Sequence, residues 1–193
     1  MNPASHFKPN LFKIKQHLQS ISRERNFQTS ANTLIFVQSY IDRELTSYGY
    51  RVQEDPFLYD GQSFSNLVAR LEPHRPGPYL IVGAHFDSIP ESPGADDNAT
   101  GITALLEAAR IYAERGERKG AVEFVAFNLE EYGMIGSQAY VQKLKSQNAQ
   151  VAGMISLEMV GYTSREKGSQ KMPFFLKPFY HFLIEVFSIF LFV

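Results

Sequence analysis

Residues 78–86 read PYLIVGAHF, an almost unbroken apolar run. Such a run is typical of a strand buried on both faces, as in a parallel sheet covered by helices. Two similar runs follow, AVEFVAFN at 121–128 and VAGMISLEMV at 151–160. Segments with the pattern of a helix lie between the runs, at 102–115 and around Ser137–Ser146. Strands that alternate with helices predict βαβ units and a largely parallel sheet.

The residues before this unit predict two helices and a hairpin. The apolar spacing predicts one helix from Leu11 to about Ser22 and another from Ser30 to Gly49. The alternating segments 50–59 and 65–72 predict two strands, joined by an Asp-Gly turn at 60–61. We therefore predict an α/β fold with three layers, α/β/α, built around a mixed, mainly parallel sheet.

Composition and charge limit the classes of function. The chain has 193 residues, which suits one domain, and its formal net charge is −1. This charge gives no electrostatic basis for binding nucleic acid or an anionic membrane surface. The chain has no cysteine, so a metal site must use His, Asp and Glu. The N-terminal residues lack the apolar core of a signal peptide, which predicts a cytoplasmic protein.

Polar side chains follow each of the three buried runs, where the predicted strands end. Parallel strands end at the same edge of a sheet, and this edge is where such sheets place ligands. Each polar residue alone has an ordinary structural explanation, such as a helix cap or a solvated loop. Together they are His85, Asp87, Asp96, Asp97, Glu130, Glu131 and Glu158.

A cluster this rich in carboxylates predicts a divalent metal ion. Carboxylates that converge without a cation repel one another, and their pKa values rise. One imidazole with several carboxylates suits zinc, with manganese or cobalt as substitutes, and a carboxylate can bridge two ions. Asp87 lies on the same face of its strand as His85 and can accept the other imidazole N–H. Of Glu130 and Glu131, one can bind metal while the other takes a proton from the attacking water. The pattern therefore favours metal-assisted hydrolysis.

Four ordered motifs lie within residues 82–162: AHFDS, PGADDNATG, NLEEYGMIGS and ISLEMVGY. They closely resemble the M28 family of zinc aminopeptidases. The resemblance implies a zinc-exopeptidase-like fold and a complete site with two zinc ions. It also implies hydrolysis of the N-terminal peptide bond of a peptide substrate with a free N-terminus. It implies nothing about the oligomeric state.

By position, the resemblance assigns one general base, one residue that orients the imidazole, and four zinc ligands. The general base is Glu130, and the orienting residue is Asp87. The zinc ligands are His85, the bridging Asp96, and the terminal ligands Glu131 and Glu158, which lie on different ions.

The turn GADDNATG, at 94–101, carries two further implications of the resemblance. The peptide bond between Asp96 and Asp97 is expected to be cis, with Asp97 shaping the turn. Asn98 or Thr100 then remains free to cap the following helix.

The end of the chain departs from the family pattern. The complete family site has a further histidine ligand well after the strand that carries Glu158, and the only later histidine here is His181. It lies in the segment 174–193, which holds seven of the chain's sixteen phenylalanines. We therefore expect residues 1–173 to form a partial M28 catalytic domain, its C-terminal part missing through truncation or a frame shift, followed by an atypical Phe-rich tail. Charged residues and a proline interrupt this tail, which argues against a membrane anchor.

Two other interpretations stay open. Single-zinc glutaminyl cyclases, which are acyltransferases, share this fold, although EEYGMIGS at 130–137 is more similar to the peptidases. A metal count per chain separates these two enzymes. The chain is alternatively an inactive fragment that retains the motifs. Because one zinc position of the family site lacks its histidine, the sequence predicts impaired turnover.

Overall fold

The described residues form a five-stranded sheet. The structure is a computed structural model, and it describes residues 8–72, 77–115, 120–162, 164 and 166. The order of the strands across the sheet is β1-β2-β4-β3-β5. The strands are β1 (Tyr50–Tyr59), β2 (Gln62–Leu71), β3 (Tyr79–His85), β4 (Ala121–Phe127) and β5 (Val151–Ser156).

Four α-helices pack around this sheet in the described part of the chain. Asn10 caps the first helix, because its side chain accepts hydrogen bonds from the N–H groups of Phe12 and Lys13. Gly49, with φ of 91°, follows the second helix in the left-handed conformation that glycine adopts most easily. The helices are α1 (Leu11–Ile21), α2 (Ala31–Ser47), α3 (Gly101–Glu114) and α4 (Ile135–Ser146). A kinked turn (Ala95–Thr100), in which the N–H of Ala99 donates to the carbonyl of Gly94, precedes α3.

Strand pairing confirms the predicted α/β fold with a mixed sheet. β3 runs parallel to β4 on one side and to β5 on the other. The hairpin of β1 and β2 is antiparallel, and β2 also pairs antiparallel with β4. The parallel part therefore consists of the three strands predicted from the buried apolar runs, and the hairpin extends it with antiparallel pairs.

Alternate residues of β3 pack on opposite faces of the sheet. Val82 and Ala84 belong to the larger core cluster, which includes the apolar sides of α2 and α3. Tyr79 and Ile81 belong to a second cluster, which includes Tyr140 of α4. Because helices cover both faces, the three-layer arrangement agrees with the prediction.

The carboxyl ends of the parallel strands lie side by side. His85, the last residue of β3, pairs with Phe127, the last residue of β4. Ser156, the last residue of β5, pairs with Gly83 of β3. β5 is shorter than the predicted run 151–160, so Glu158 lies in the loop after the strand. The candidate site lies at this edge of the sheet.

The chain divides into two units, Met1–Tyr162 and Thr163–Val193, and every helix and strand named above belongs to the first. The Phe-rich tail at 174–193 and His181 lie outside the described residues, so the boundary after residue 173 stays a prediction. Within the described part of the chain, none of the helices has both the length and the apolar character needed to cross a bilayer.

Candidate metal centre

His85 lies at the centre of a group of carboxylates that come from three loops. Its ring is buried, and its Nε2 atom lies 3.1 Å from Oδ1 of Asp97 and 3.5 Å from Oε1 of Glu158. Oε2 of Glu130 lies 3.9 Å from the same nitrogen. The side chains of Asp97 and Glu158 are 46% and 48% exposed, so the cluster is open to solvent on the side away from the sheet.

The imidazole nitrogens of His85 are buried and have no hydrogen-bond partner among the described residues. Asp87 Oδ1 lies 3.3 Å from Nδ1, which is a close contact, although it does not have the geometry of a hydrogen bond. Buried polar atoms are almost always satisfied, and an unsatisfied one calls for a specific explanation. A metal ion bound to Nε2 and to the facing carboxylates supplies that explanation.

Asp87 holds the loop that carries the two glutamates. Its Oδ1 accepts a hydrogen bond of 3.0 Å from the N–H of Glu130, and its Oδ2 accepts one of 3.1 Å from the N–H of Glu131. The prediction that Asp87 orients His85 agrees with the 3.3 Å contact to the ring. The buried carboxylate thus links the end of β3 to the loop after β4, a role that the sequence did not indicate.

The structure places Asp97 in the position predicted for Asp96. Asp97 points at the imidazole, whereas Oδ1 of Asp96 accepts hydrogen bonds from the N–H of Gly161, at 2.9 Å, and from the hydroxyl of Thr100, at 3.1 Å. Asp97 and Asn98 have non-helical backbone angles, so successive side chains of this turn point in different directions. The assignment of the bridging carboxylate to Asp96 therefore disagrees with the geometry, and Asp97 replaces it.

The cis peptide bond is likewise one residue further along than predicted. It joins Asp97 to Asn98, not Asp96 to Asp97.

Asn98 connects this turn to the loop of Glu158. Its Nδ2 donates to the carbonyl of Leu157, at 2.9 Å, and to Oε2 of Glu158, at 3.2 Å. Its Oδ1 accepts from the N–H of Gly101, at 2.9 Å, and from that of Met159, at 3.3 Å. The bond to Gly101 confirms Asn98 as a cap of α3, and the bond to Glu158 orients a predicted metal ligand.

Charge and burial shift the protonation of the cluster. Burial alone would lower the pKa of His85. Negative charge outweighs burial and raises the pKa to about 9; it comes from Asp87, in close contact with the ring, and from Glu158 and Glu130. Burial, reinforced by the charge of Asp97, raises the pKa of Glu131 to about 7. Burial also raises the pKa of Glu158. In the absence of a metal ion the cluster therefore retains protons that a cation can replace.

Two overlapping sets of side chains can hold a cation among the described residues. The first is His85, Asp97 and Glu158, and the second is His85, Glu130 and Glu131; within each set the candidate ligand atoms lie within 4.8 Å of one another. One imidazole with carboxylates suits zinc, manganese or cobalt. The predicted residues His85, Glu130, Glu131 and Glu158 are thus brought together, with Asp97 added and Asp96 excluded.

Metal affinity should rise steeply between pH 6 and pH 9. His85 must lose its proton to bind a metal ion, and its pKa of about 9 means that it is protonated at pH 7, where Glu131 is about half protonated. Binding of zinc at pH 7 should therefore release at least about one proton per site, mainly from His85. Calorimetric titrations in two buffers with different ionisation enthalpies measure this number. A release that is unchanged in His85→Asn would contradict the assignment.

Comparison with known proteins gives a consistent result. Residues 66–188 match the sequence profile of Peptidase family M28. Leucine aminopeptidase 1 of Paracoccidioides brasiliensis is 33% identical over 149 residues, which cover 70% of this chain and 37% of that protein. The chain spans less than half the length of the curated relatives it matches.

Solved structures share the fold. LapB from Legionella pneumophila superimposes with a TM-score of 0.73 at 24% identity, over 96% of this chain and 55% of that one. Glutaminyl cyclase of Porphyromonas gingivalis superimposes with a TM-score of 0.68 at 23% identity, over 90% of this chain and 65% of that one. At these identities the likeness shows a common fold.

Proposed function

The chain belongs to peptidase family M28, and from this we propose that it is a zinc-dependent aminopeptidase that hydrolyses the N-terminal bond of peptides. The observation that carries the proposal is the convergence of His85, Asp97 and Glu158, with Glu130 alongside, at one edge of the sheet. Catalytic carboxylates and metal ligands are expected at this position in an α/β fold.

The geometry supports specific ligands for zinc. His85, Asp97 and Glu158 supply the three protein ligands that a catalytic zinc ion needs. A second ion would be held by Asp97 and Glu131, whose carboxylates interact, since the charge of Asp97 contributes to the raised pKa of Glu131. A bound zinc ion would polarise the scissile carbonyl and lower the pKa of the attacking water.

Glu130 is the residue that we assign to proton transfer. Its backbone N–H is held by Asp87, so its side chain projects beside the imidazole, with its carboxylate 3.9 Å from His85 Nε2. From there it takes a proton from the attacking water and passes it to the leaving amine.

The alternative is a single-zinc glutaminyl cyclase. One observation favours it: the described residues supply a complete set of three ligands, His85, Asp97 and Glu158, for one ion. With His85 assigned to the first ion and Glu130 to proton transfer, Asp97 and Glu131 remain from the described part of the chain for a second ion.

The test compares two anilide substrates that differ only in the α-amino group. With zinc in excess, the chain should hydrolyse a leucyl anilide with a free amine and leave its N-acetyl derivative intact, and a chelator should abolish the hydrolysis. Elemental analysis should find one zinc ion per chain after dialysis and a second one only with zinc in excess, because the second ion has fewer protein ligands among the described residues. Cyclisation of a glutaminyl peptide with one zinc ion per chain would support the alternative enzyme. Zinc binding without either reaction would identify an inactive fragment.

A further inference from the structure

Arg25 lies in the segment that joins α1 to α2, and its side chain is completely buried. Its guanidinium group donates hydrogen bonds to five backbone carbonyls: one from Nε, one from Nη2, and three from Nη1, whose two N–H hydrogens are shared among its three acceptors. The acceptors are the carbonyls of Phe86 at 2.6 Å, Pro93 at 2.7 Å, Gly94 at 2.8 Å, Arg23 at 3.0 Å and Ile21 at 3.3 Å. The side chain is therefore fixed in place, and no smaller donor group can replace all of these bonds.

Three of these carbonyls belong to the two ends of the loop that separates His85 from Asp97. Phe86 follows His85 directly, and residues 93–94 lead into the turn that carries Asp97. The backbone of Arg25 adds two bonds to the same loop. Its carbonyl accepts from the N–H of Ser88, and its N–H donates to the hydroxyl of Ser88, both at 3.1 Å. A single residue thus ties both ends of the loop to α1.

The guanidinium group of Arg25 lies so close to Gly94 that it leaves no space for a side chain at this position. The backbone of Gly94 has φ of 51°, and a β-carbon added there would lie 2.8 Å from both Nη1 and Nη2 of Arg25. It would also lie 2.5 Å from the carbonyl oxygen of Asp97. The guanidinium group, the glycine and the turn with Asp97 therefore fit together without room for a side chain at position 94.

The charge of Arg25 acts on the same site. Burial lowers its pKa to about 10, opposed by the charges of Asp87, Asp97 and Glu131, so the side chain stays charged at neutral pH. Its hydrogen bonds in the described structure go to neutral carbonyls, which leaves its field directed at these carboxylates.

We infer that Arg25 is a positioning residue of the metal centre, which sets the distance between His85 and Asp97 by holding both ends of the loop that joins them. The inference rests on the proposed function, because it requires these two side chains to bind the same ion. Their present separation of 3.1 Å suits two ligands of one cation once each has moved slightly apart around it. Arg25 touches neither ion nor substrate and acts through the backbone.

The test measures metal affinity in the full chain, with Arg25→Met, Arg25→Lys and the control Arg23→Met. Arg23 lies in the same segment, but its exposed side chain donates only to the carbonyl of Gln19. Zinc affinity should fall about 10–100-fold in Arg25→Met. Competition with a chromogenic chelator measures the affinity, and circular dichroism checks that every variant is folded. Arg25→Lys should recover part of the loss, and Arg23→Met should bind like the wild type. The bands of bound Co²⁺, which report ligand geometry, should change in Arg25→Met and stay unchanged in Arg23→Met.

Two further variants separate positioning from general loss of stability. Gly94→Ala crowds both Arg25 and the carbonyl of Asp97, so it should also weaken zinc binding. If Arg25→Met does not fold, Arg25→Lys decides the question: its ammonium group cannot replace all five bonds, so wild-type zinc affinity in that variant would contradict the inference. In an Asp97→Ala background, Arg25→Met should reduce zinc affinity little further, because the effects of residues that act through one another are not additive.

The results distinguish failure of this inference from failure of the proposed function. Wild-type affinity and Co²⁺ bands in folded Arg25→Met and Gly94→Ala would overturn this inference alone, as would full additivity with Asp97→Ala. Absence of zinc binding in the wild-type chain would overturn the proposed function and this inference with it.

Discussion

Asp97→Asn should weaken zinc binding by at least about 100-fold, which exceeds the usual cost of losing an outer hydrogen-bond partner of a ligand. Asp97 lies 3.1 Å from His85 Nε2 and belongs to the ligand set with Glu158. An amide oxygen keeps the shape of the side chain but carries no charge, so it is a much poorer ligand for a divalent cation. Chelator competition on the full chain measures the effect.

The neighbouring Asp96 provides a matched control with the same substitution. In Asp96→Asn the side-chain oxygen still accepts from the N–H of Gly161 and the hydroxyl of Thr100, so zinc affinity should stay within about threefold of the wild type, since surface changes of this kind are nearly neutral. A large loss in Asp96→Asn together with normal binding in Asp97→Asn would restore the assignment made from the sequence.

The sequence could not predict which of these two aspartates faces the imidazole. Both are acidic, both precede α3, and no periodic pattern separates them. The orientation of each depends on the backbone angles of Asp97 and Asn98, and on partners such as Gly161 that lie about sixty residues later. The sequence places a carboxylate in this turn, but only the folded backbone determines which of the two faces the imidazole.

The rest of the site could be predicted because its geometry follows from the sheet. Apolar runs identified β3, β4 and β5, and parallel strands bring their carboxyl ends together. The strand order alone therefore brings together the residues at or just after the ends of these strands, which are His85, the two glutamates after β4 and Glu158. The end of β5 was predicted too late because the run VAGMISLEMV stays apolar beyond Ser156, although Met159 has a positive φ of 47° and the chain has already turned.

Arg25 could not be found from the sequence. It lies just after α1, outside the apolar stripe of any helix, and no motif marks it. Its acceptors Phe86, Pro93 and Gly94 are backbone carbonyls 61 to 69 residues away. Backbone acceptors are present at every position, so a pattern of side-chain types cannot indicate them. Residues that support a site through the backbone become visible only in the folded structure.

Glu130→Gln should reduce the turnover of a free-amine anilide by about 10²–10⁴-fold and leave the zinc content unchanged. Glutamine fills the same volume, and its backbone N–H can still donate to Asp87, so the loop keeps its position. The amide cannot accept and hold the proton that must move from water to the leaving amine. Steady-state kinetics and elemental analysis of the same samples measure the two quantities.

Two controls determine which glutamate has which role, because both carboxylates can reach a cation beside His85. Glu131→Gln should lose zinc, since we assign its carboxylate to an ion, and added zinc should restore part of its activity. Glu91→Gln, which alters an exposed glutamate in the loop before Asp97, should change neither quantity. If instead Glu130→Gln lost zinc while Glu131→Gln kept it and lost turnover, the two roles would be exchanged. The hydrogen bonds that Asp87 accepts from both N–H groups would then position the base one residue later than we assign it.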